Sequence, residues 1–100
     1  MTLQQRIKFS ETIKTRIEQT GGYIVSKDSA RDHYTSILAT ANAVSGLLLA
    51  VDEDTAAPVL SDLHRWLSQE AHIVFAWMYQ AAEPLPDYQE YRQQRLKEVE

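Results

Sequence analysis

The sequence predicts an all-α fold, a small three- to four-helix bundle built on a long antiparallel helical hairpin. Three observations predict it. Leu60, Leu63, Leu67, Ala71, Val74 and Met78 recur at the three- and four-residue intervals of one helix face, a heptad-like seam. One segment earlier, Tyr34, Ile37, Leu38, Ala41, Val44, Leu48 and Val51 do the same. Between the two runs lies only the acidic link Asp52-Glu53-Asp54-Thr55, and helices joined by so short a connection are antiparallel neighbours.

The first helix is expected over residues 2–20. At about 100° per residue, Leu3, Ile7, Phe9, Ile13 and Ile17 fall within one broad arc, and the remainder is mostly Gln, Lys, Arg and Glu, which are good helix formers. These apolar positions are all odd-numbered, so a strand is the competing reading; Glu11 and Thr15 interrupt the alternation and favour helix. Gly21-Gly22 should end it, because glycine accepts the left-handed conformation common at helix stops. Tyr23-Ile24-Val25 is expected to follow as an extended connector folded onto the core.

The second helix is expected over 29–51. Asp28 or Ser29 can cap it, with Ser29 and Asp32 at capping-box spacing. Beside its core stripe lies a row of small residues, Ala39, Ala43, Gly46 and Ala50, which reads as a packing device. The third helix is expected over 56–82. Asp54 or Thr55 would cap it, and Pro58 falls in its first turn, where a missing amide hydrogen costs little. Val59, Trp66, Ile73 and Trp77 form a second stripe, and Phe75 and Tyr79 point in a third direction.

The run Ala71-His72-Ile73-Val74-Phe75-Ala76-Trp77-Met78-Tyr79 is therefore apolar nearly all round and must be covered on several sides. A hundred residues offer few elements to cover it, so a partner or a second copy is expected, and a two-fold homodimer is the commonest symmetric solution. Pro84-Leu85-Pro86 should stop the third helix. A short, highly charged fourth helix is expected over 87–99, and the whole chain, 1–100, as a single helical domain.

Composition narrows the function classes. With no cysteine, disulfides, thiolate metal sites and cysteine nucleophiles are excluded. The N-terminal residues Met1 to Arg6 lack the apolar core of a signal peptide. The longest apolar-looking run, Ile37 to Val51, is interrupted by Thr40, Asn42 and Ser45, and a membrane span needs about 20 predominantly apolar residues. The sequence thus reads as that of a soluble cytoplasmic protein with no membrane partner. Net charge is −4 but uneven: residues 1–31 sum to +3, residues 32–91 to −8, and the last nine to +1. An acidic middle is unsuited to lie along a phosphate backbone, where Lys and Arg supply most of the affinity.

Catalytic and metal chemistry find little support. His64 and His72 stand eight apart, two helical turns, and neither belongs to a zinc-protease pair. Asp62 with His64, Glu70 with His72 and Asp32 with His33 are too close in sequence to share a helix face. The serines lie in no glycine-rich elbow, and three glycines leave no phosphate loop. No enzyme activity, metal or cofactor is expected. The segment Ala41 to Leu48 loosely resembles a helix-turn-helix recognition region, but no turn precedes it and it holds no Arg or Lys.

Trp66 and Trp77 stand eleven residues apart, three turns, and share a face with Ile73 between them. Trp, Tyr and Arg dominate interface hot spots because they bury much area while keeping a polar handle. Two readings of the indoles stand open, a contact stripe or simple core filling. Tyr88, Tyr91, Arg92 and Arg95 give the last helix an interface-like composition too. The expected function is non-catalytic protein binding through Trp66, Ile73 and Trp77 or through Tyr88, Tyr91, Arg92 and Arg95, regulating or inhibiting a larger protein by occluding or recruiting it. The alternative is a dimeric DNA-binding regulator presenting the basic first helix with Arg6, Lys8, Lys14 and Arg16.

Overall fold

The computed structural model describes residues 2–50 and 57–99. Within them lie four helices: α1 (Leu3–Gly21), α2 (Lys27–Ala50), α3 (Ala57–Gln80) and α4 (Tyr88–Val99). The fold is an all-α bundle, with α2 and α3 as the closely packed hairpin at its centre. The expected acidic link at 52–55, its caps Asp54 and Thr55, and Val51 lie outside the described residues.

Each helix start follows from local chemistry. Thr2 caps α1: its hydroxyl accepts from the Gln5 backbone N–H at 3.2 Å, and the Gln5 side chain accepts from the Thr2 N–H at 2.8 Å. The expected cap of α2 is corrected by two residues. Ser26, not Asp28 or Ser29, stands before its first turn; the Ser26 hydroxyl accepts from the Ser29 N–H at 3.2 Å, while the Ser29 hydroxyl accepts from the Ser26 N–H at 3.0 Å. Ser29 thus sits at the far end of the capping box, three residues into the motif it was expected to open. At the start of α4 the Asp87 carboxylate accepts from the Glu90 N–H at 3.2 Å.

The end of α1 also departs from expectation. Neither Gly21 nor Gly22 is left-handed; Gly22 keeps φ −67° and ψ −14°. Three successive tight bonds finish the helix instead, from the N–H groups of Gly22, Tyr23 and Ile24 to the carbonyls of Gln19, Thr20 and Gly21. This tightening turns Ile24 into the core and leaves Tyr23 and Val25 79 % and 86 % exposed, so one residue of the expected connector packs inward rather than three.

Core and solvent faces divide as the helical period requires. The α3 seam of Leu60, Leu63, Leu67, Ala71, Val74 and Met78 is buried throughout, as are Ile73 and Trp77 from its second stripe. On α2 the buried positions are Ala30, His33, Ile37, Ala41 and Val44. Leu38, expected in that stripe, lies about 100° from Ile37 around the helix and is 41 % exposed. Ala39, Ala43 and Gly46 are exposed, and a Cβ at Gly46 would meet nothing within 4 Å, so the small-residue row packs against nothing within the described chain. α3 ends at Gln80, two residues short of the expected Ala82, ahead of Pro84 and Pro86.

The helices alternate in direction. Lys14 of α1 lies over the Trp66 ring of α3, and farther along both helices Glu18 approaches the Arg92 that binds Glu70. α1 therefore runs with α3, while α4 runs back along α3 from Tyr88 beside Trp77 to Arg92 beside Glu70. α3 is thus covered on three sides by α1, α2 and α4. What its own chain leaves open is the direction of Phe75 and Tyr79, 41 % and 64 % exposed. No described helix is long and apolar enough to cross a membrane.

Candidate functional site

Behind the bundle surface lies a polar bridge that ties three helices together. Glu70 falls on the row Leu63, Leu67, Glu70, Val74, Trp77, so the helical period carries its carboxylate inward among apolar neighbours. Its side chain is 3 % exposed. Arg92 meets it in fork geometry: Nε donates to Oε1 at 3.2 Å and to Oε2 at 3.0 Å, and Nη2 donates to Oε1 at 2.6 Å. The same Nη2 stands 3.6 Å from Glu18 Oε1 on α1. The hydrogen bond to Glu70 holds the Arg92 pKa above its ordinary value against the opposing effect of burial.

Two further groups from α2 and α4 sit close to this bridge. His33 is buried, with Nδ1 3.2 Å from the Thr20 hydroxyl. Burial pushes its pKa below the usual value, Glu70 counters that effect and Arg92 reinforces it. Tyr88 is 2 % exposed, its buried hydroxyl has no hydrogen-bond partner among the described residues, and burial raises its pKa.

A neutral imidazole held this way makes stability depend on pH. The unfolded chain takes up the His33 proton near pH 6.5, whereas the folded chain takes it up at lower pH. His33 should therefore cost nothing above about pH 7 and should destabilise progressively as pH falls below about 6.5. The melting temperature should drop between about pH 7 and pH 5.5, and His33→Gln should flatten that drop. An unchanged pH profile in the variant would contradict the assignment.

The structure places the seven sequence-derived contact candidates in different settings. Ile73, Trp77 and Tyr88 are core residues at 4 %, 2 % and 2 % exposure. The Trp77 Nε1–H donates to the Pro86 carbonyl at 3.0 Å, and its ring meets Tyr88 edge-on at 5.7 Å. Burial of the indole is thus completed by the chain folding back after α3. Arg92 is held in the polar bridge. Trp66 is half-buried beneath Lys14, and Tyr91 is half-buried with the Arg95 guanidinium 5.4 Å from its ring centroid. The expected Trp66/Ile73/Trp77 stripe is accordingly turned toward α1 and α4 and does not form an open contact face.

The open face lies on the other side of α3. Phe75 stands between Tyr34 of α2 and Tyr79, with ring centroids 5.9 Å and 4.7 Å apart. A groove of about 380 Å³ runs beside them, lined by Tyr34, Leu38, Ser68, Ala71, His72 and Phe75. Across the Ser68–His72 ridge is a second groove, of about 680 Å³, with Ile73 in its wall and Arg65, Arg95 and Glu98 at its rim. Two expected residues, Ile73 and Arg95, come together there. The sequence set Phe75 and Tyr79 in a third direction of α3, within the run that needs cover, but they were not among the expected contact residues. The available signal was that they point away from the three directions α3 needs for burial.

Among the described residues no three His, Asp or Glu side chains converge as metal ligands. The buried titratable groups are paired or enclosed, and the open face offers aromatic and aliphatic area with histidine as its only titratable lining apart from tyrosine. Comparison with protein-family models, with curated proteins and with solved structures finds no match to this chain.

Proposed function

We propose that this chain is a non-catalytic protein-binding module, one that blocks or recruits a larger protein by docking its α2–α3 face. The observation that carries this reading is the stack of Tyr34, Phe75 and Tyr79 beside an apolar groove, with Leu38, Phe75 and Tyr79 all more than one-third exposed. Exposed aromatic clusters of this kind mark interaction sites because they release water over a large area while losing little side-chain freedom. The groove over Ile73 extends the same surface toward Arg95.

The DNA-binding alternative draws less support. Lys14 lies over the Trp66 ring and Arg6 is half-buried with its Nε enclosed, so two of the four cations of α1 are partly engaged by the bundle itself.

Affinity capture from host lysate with and without nuclease, with wild type and Tyr79→Lys side by side, tests the reading. Tyr79 is 64 % exposed in the last turn of α3, where a cation suits the helix dipole, so the variant should keep its melting temperature. Wild type should retain a stoichiometric protein and the variant should lose it. If the only ligand is nucleic acid, released by nuclease and by salt, the DNA-binding reading replaces this one.

A further inference from the structure

We propose that α4 is an acid-released latch, docked while His33 is neutral and freed as a proton reaches the imidazole Nε2. The latch does not depend on the binding-module reading.

Hydrogen bonding fixes where that proton lands. The Thr20 hydroxyl donates its one hydrogen to the Ile17 carbonyl at 3.1 Å, so it accepts from His33 Nδ1 at 3.2 Å, and the neutral ring carries its hydrogen there. Nε2 is the atom left to take up a second. It shares the space over Gly21 with the first turn of α4. A Cβ on Gly21 would lie 3.6 Å from His33 Nε2, 3.7 Å from Tyr88 Cε1 and 3.8 Å from the Gln89 side-chain nitrogen. The glycine lets α2 and α4 close on α1 at one point, and the imidazole stands at that point.

The groups around this point are a poor host for an imidazolium. On α3, the two Glu70 oxygens already take three hydrogen bonds from Arg92. On α1, Glu18 is turned to the same guanidinium at 3.6 Å. On α4, Arg92 is a like charge, and the Gln89 atom nearest the site is a donor nitrogen. Asp32, the neighbour on α2 itself, is exposed and lies about 100° away around the helix. Burial and Arg92 together outweigh the attraction of Glu70, so the closed bundle holds the His33 pKa below its usual value.

Lifting α4 withdraws Arg92 and the Tyr88 ring and admits water. The open form then takes up the proton near pH 6.5 and the closed form only at lower pH, so opening gains as pH falls below about 6.5. Tyr88 is uncharged and Arg92 charged in both forms across this range, so neither adds to the effect. α4 is suited to leave by itself. It spans 12 residues, and Tyr88 is the only buried one among its described side chains, so it can open while the α2–α3 hairpin stays packed. Undocked, a helix of that length is marginal in water. Release takes Tyr88 off the Trp77 ring and Arg95 from beside Ile73, exposing apolar residues that the closed bundle covers.

Hydrogen exchange of the full chain, read by mass spectrometry at about pH 7 and pH 5.5 and corrected for the intrinsic rate at each pH, tests the latch. The α4 amides should exchange through an opening of their own, ahead of α2 and α3. Their opening constant should rise severalfold on acidification, with about eightfold the ceiling for one proton taken up near pH 6.5. His33→Gln should abolish the rise. His72→Gln, at the exposed histidine in the groove beside Arg95, should leave it in place. Amides of α4 that exchange only together with those of α2 and α3 overturn the proposal, as does a rise that survives His33→Gln or vanishes with His72→Gln. If His33→Gln fails to fold, the imidazole titration of wild type by NMR decides. A His33 pKa at or above about 6.5 in the folded chain overturns the latch, and one below it together with the α4 rise upholds it.

Discussion

Arg92→Ala should destabilise the protein by about 3–5 kcal/mol, the cost typical of breaking a buried ion pair from one side. Glu70 is the reason. Its side chain is 3 % exposed, and the three hydrogen bonds from Arg92 are the ones that satisfy its two oxygens. Without the guanidinium, the carboxylate must stay charged and unpaired, take up a proton, or drag α3 toward water. Domains of this size hold about 5–15 kcal/mol in total, so the variant should sit near the edge of folding. Urea unfolding followed by circular dichroism reads the loss as a fall in midpoint. Glu70→Leu/Arg92→Leu should recover most of it, since well-packed apolar replacements of a buried pair are often neutral or stabilising. If Arg92→Ala melts like wild type, the bridge is not what holds α4 to the bundle.

Trp77→Ala should cost a similar amount, about 3–5 kcal/mol, by a different route. The indole fills core space at 2 % exposure, contacts Tyr88 edge-on, and anchors the returning chain through the Pro86 carbonyl. Removing it opens a cavity and frees the segment that delivers α4. Trp77→Phe should lose less, keeping most of the apolar area and giving up one hydrogen bond, worth about 1 kcal/mol. Thermal melts of the two variants beside wild type settle the order. A wild-type melting temperature for Trp77→Ala, accompanied by loss of a partner, would return the indole to the contact surface.

Much of the bundle was legible in the sequence because helical periodicity reports burial directly. The α3 seam is buried at every position the spacing selects, α1 ends at Gly21-Gly22, and Pro84-Leu85-Pro86 falls in the connection after α3. Residues at the margin of a stripe are where periodicity loses force. Leu38 is apolar and helically spaced, yet a rotation of about 100° from Ile37 carries it out of the core. Trp77 shows a second limit. Its burial depends on Pro86, nine residues onward, returning to accept its N–H, and no pattern within α3 announces that.

Glu70 shows a third limit. A charged residue on an apolar row was the available signal of a buried pair, but nothing local pointed to Arg92, 22 positions away, as the partner. The candidate contact face was obscured for a related reason. Tryptophan and arginine are favoured at interfaces in general, and that preference drew attention to residues whose large side chains this chain uses to fill and fasten its own core.

The Arg92 bridge also bears on how quickly the native state is lost. Its Glu18 contact reaches from α1 to α3 and α4, across the whole of α2, whereas Glu70 and Arg92, like the α2–α3 hairpin, lie on helices joined by a short link. Loop-closure entropy therefore delays the Glu18 contact, and with it the complete bridge, until α1 and the hairpin have already met. α4 spans 12 residues and buries only Tyr88 fully among its described side chains, so it gains little order before that moment. An interaction completed after the folding barrier contributes little to the rate of folding and mainly slows escape from the folded state. On this account the bundle is assembled by its leucines and kept closed by one guanidinium.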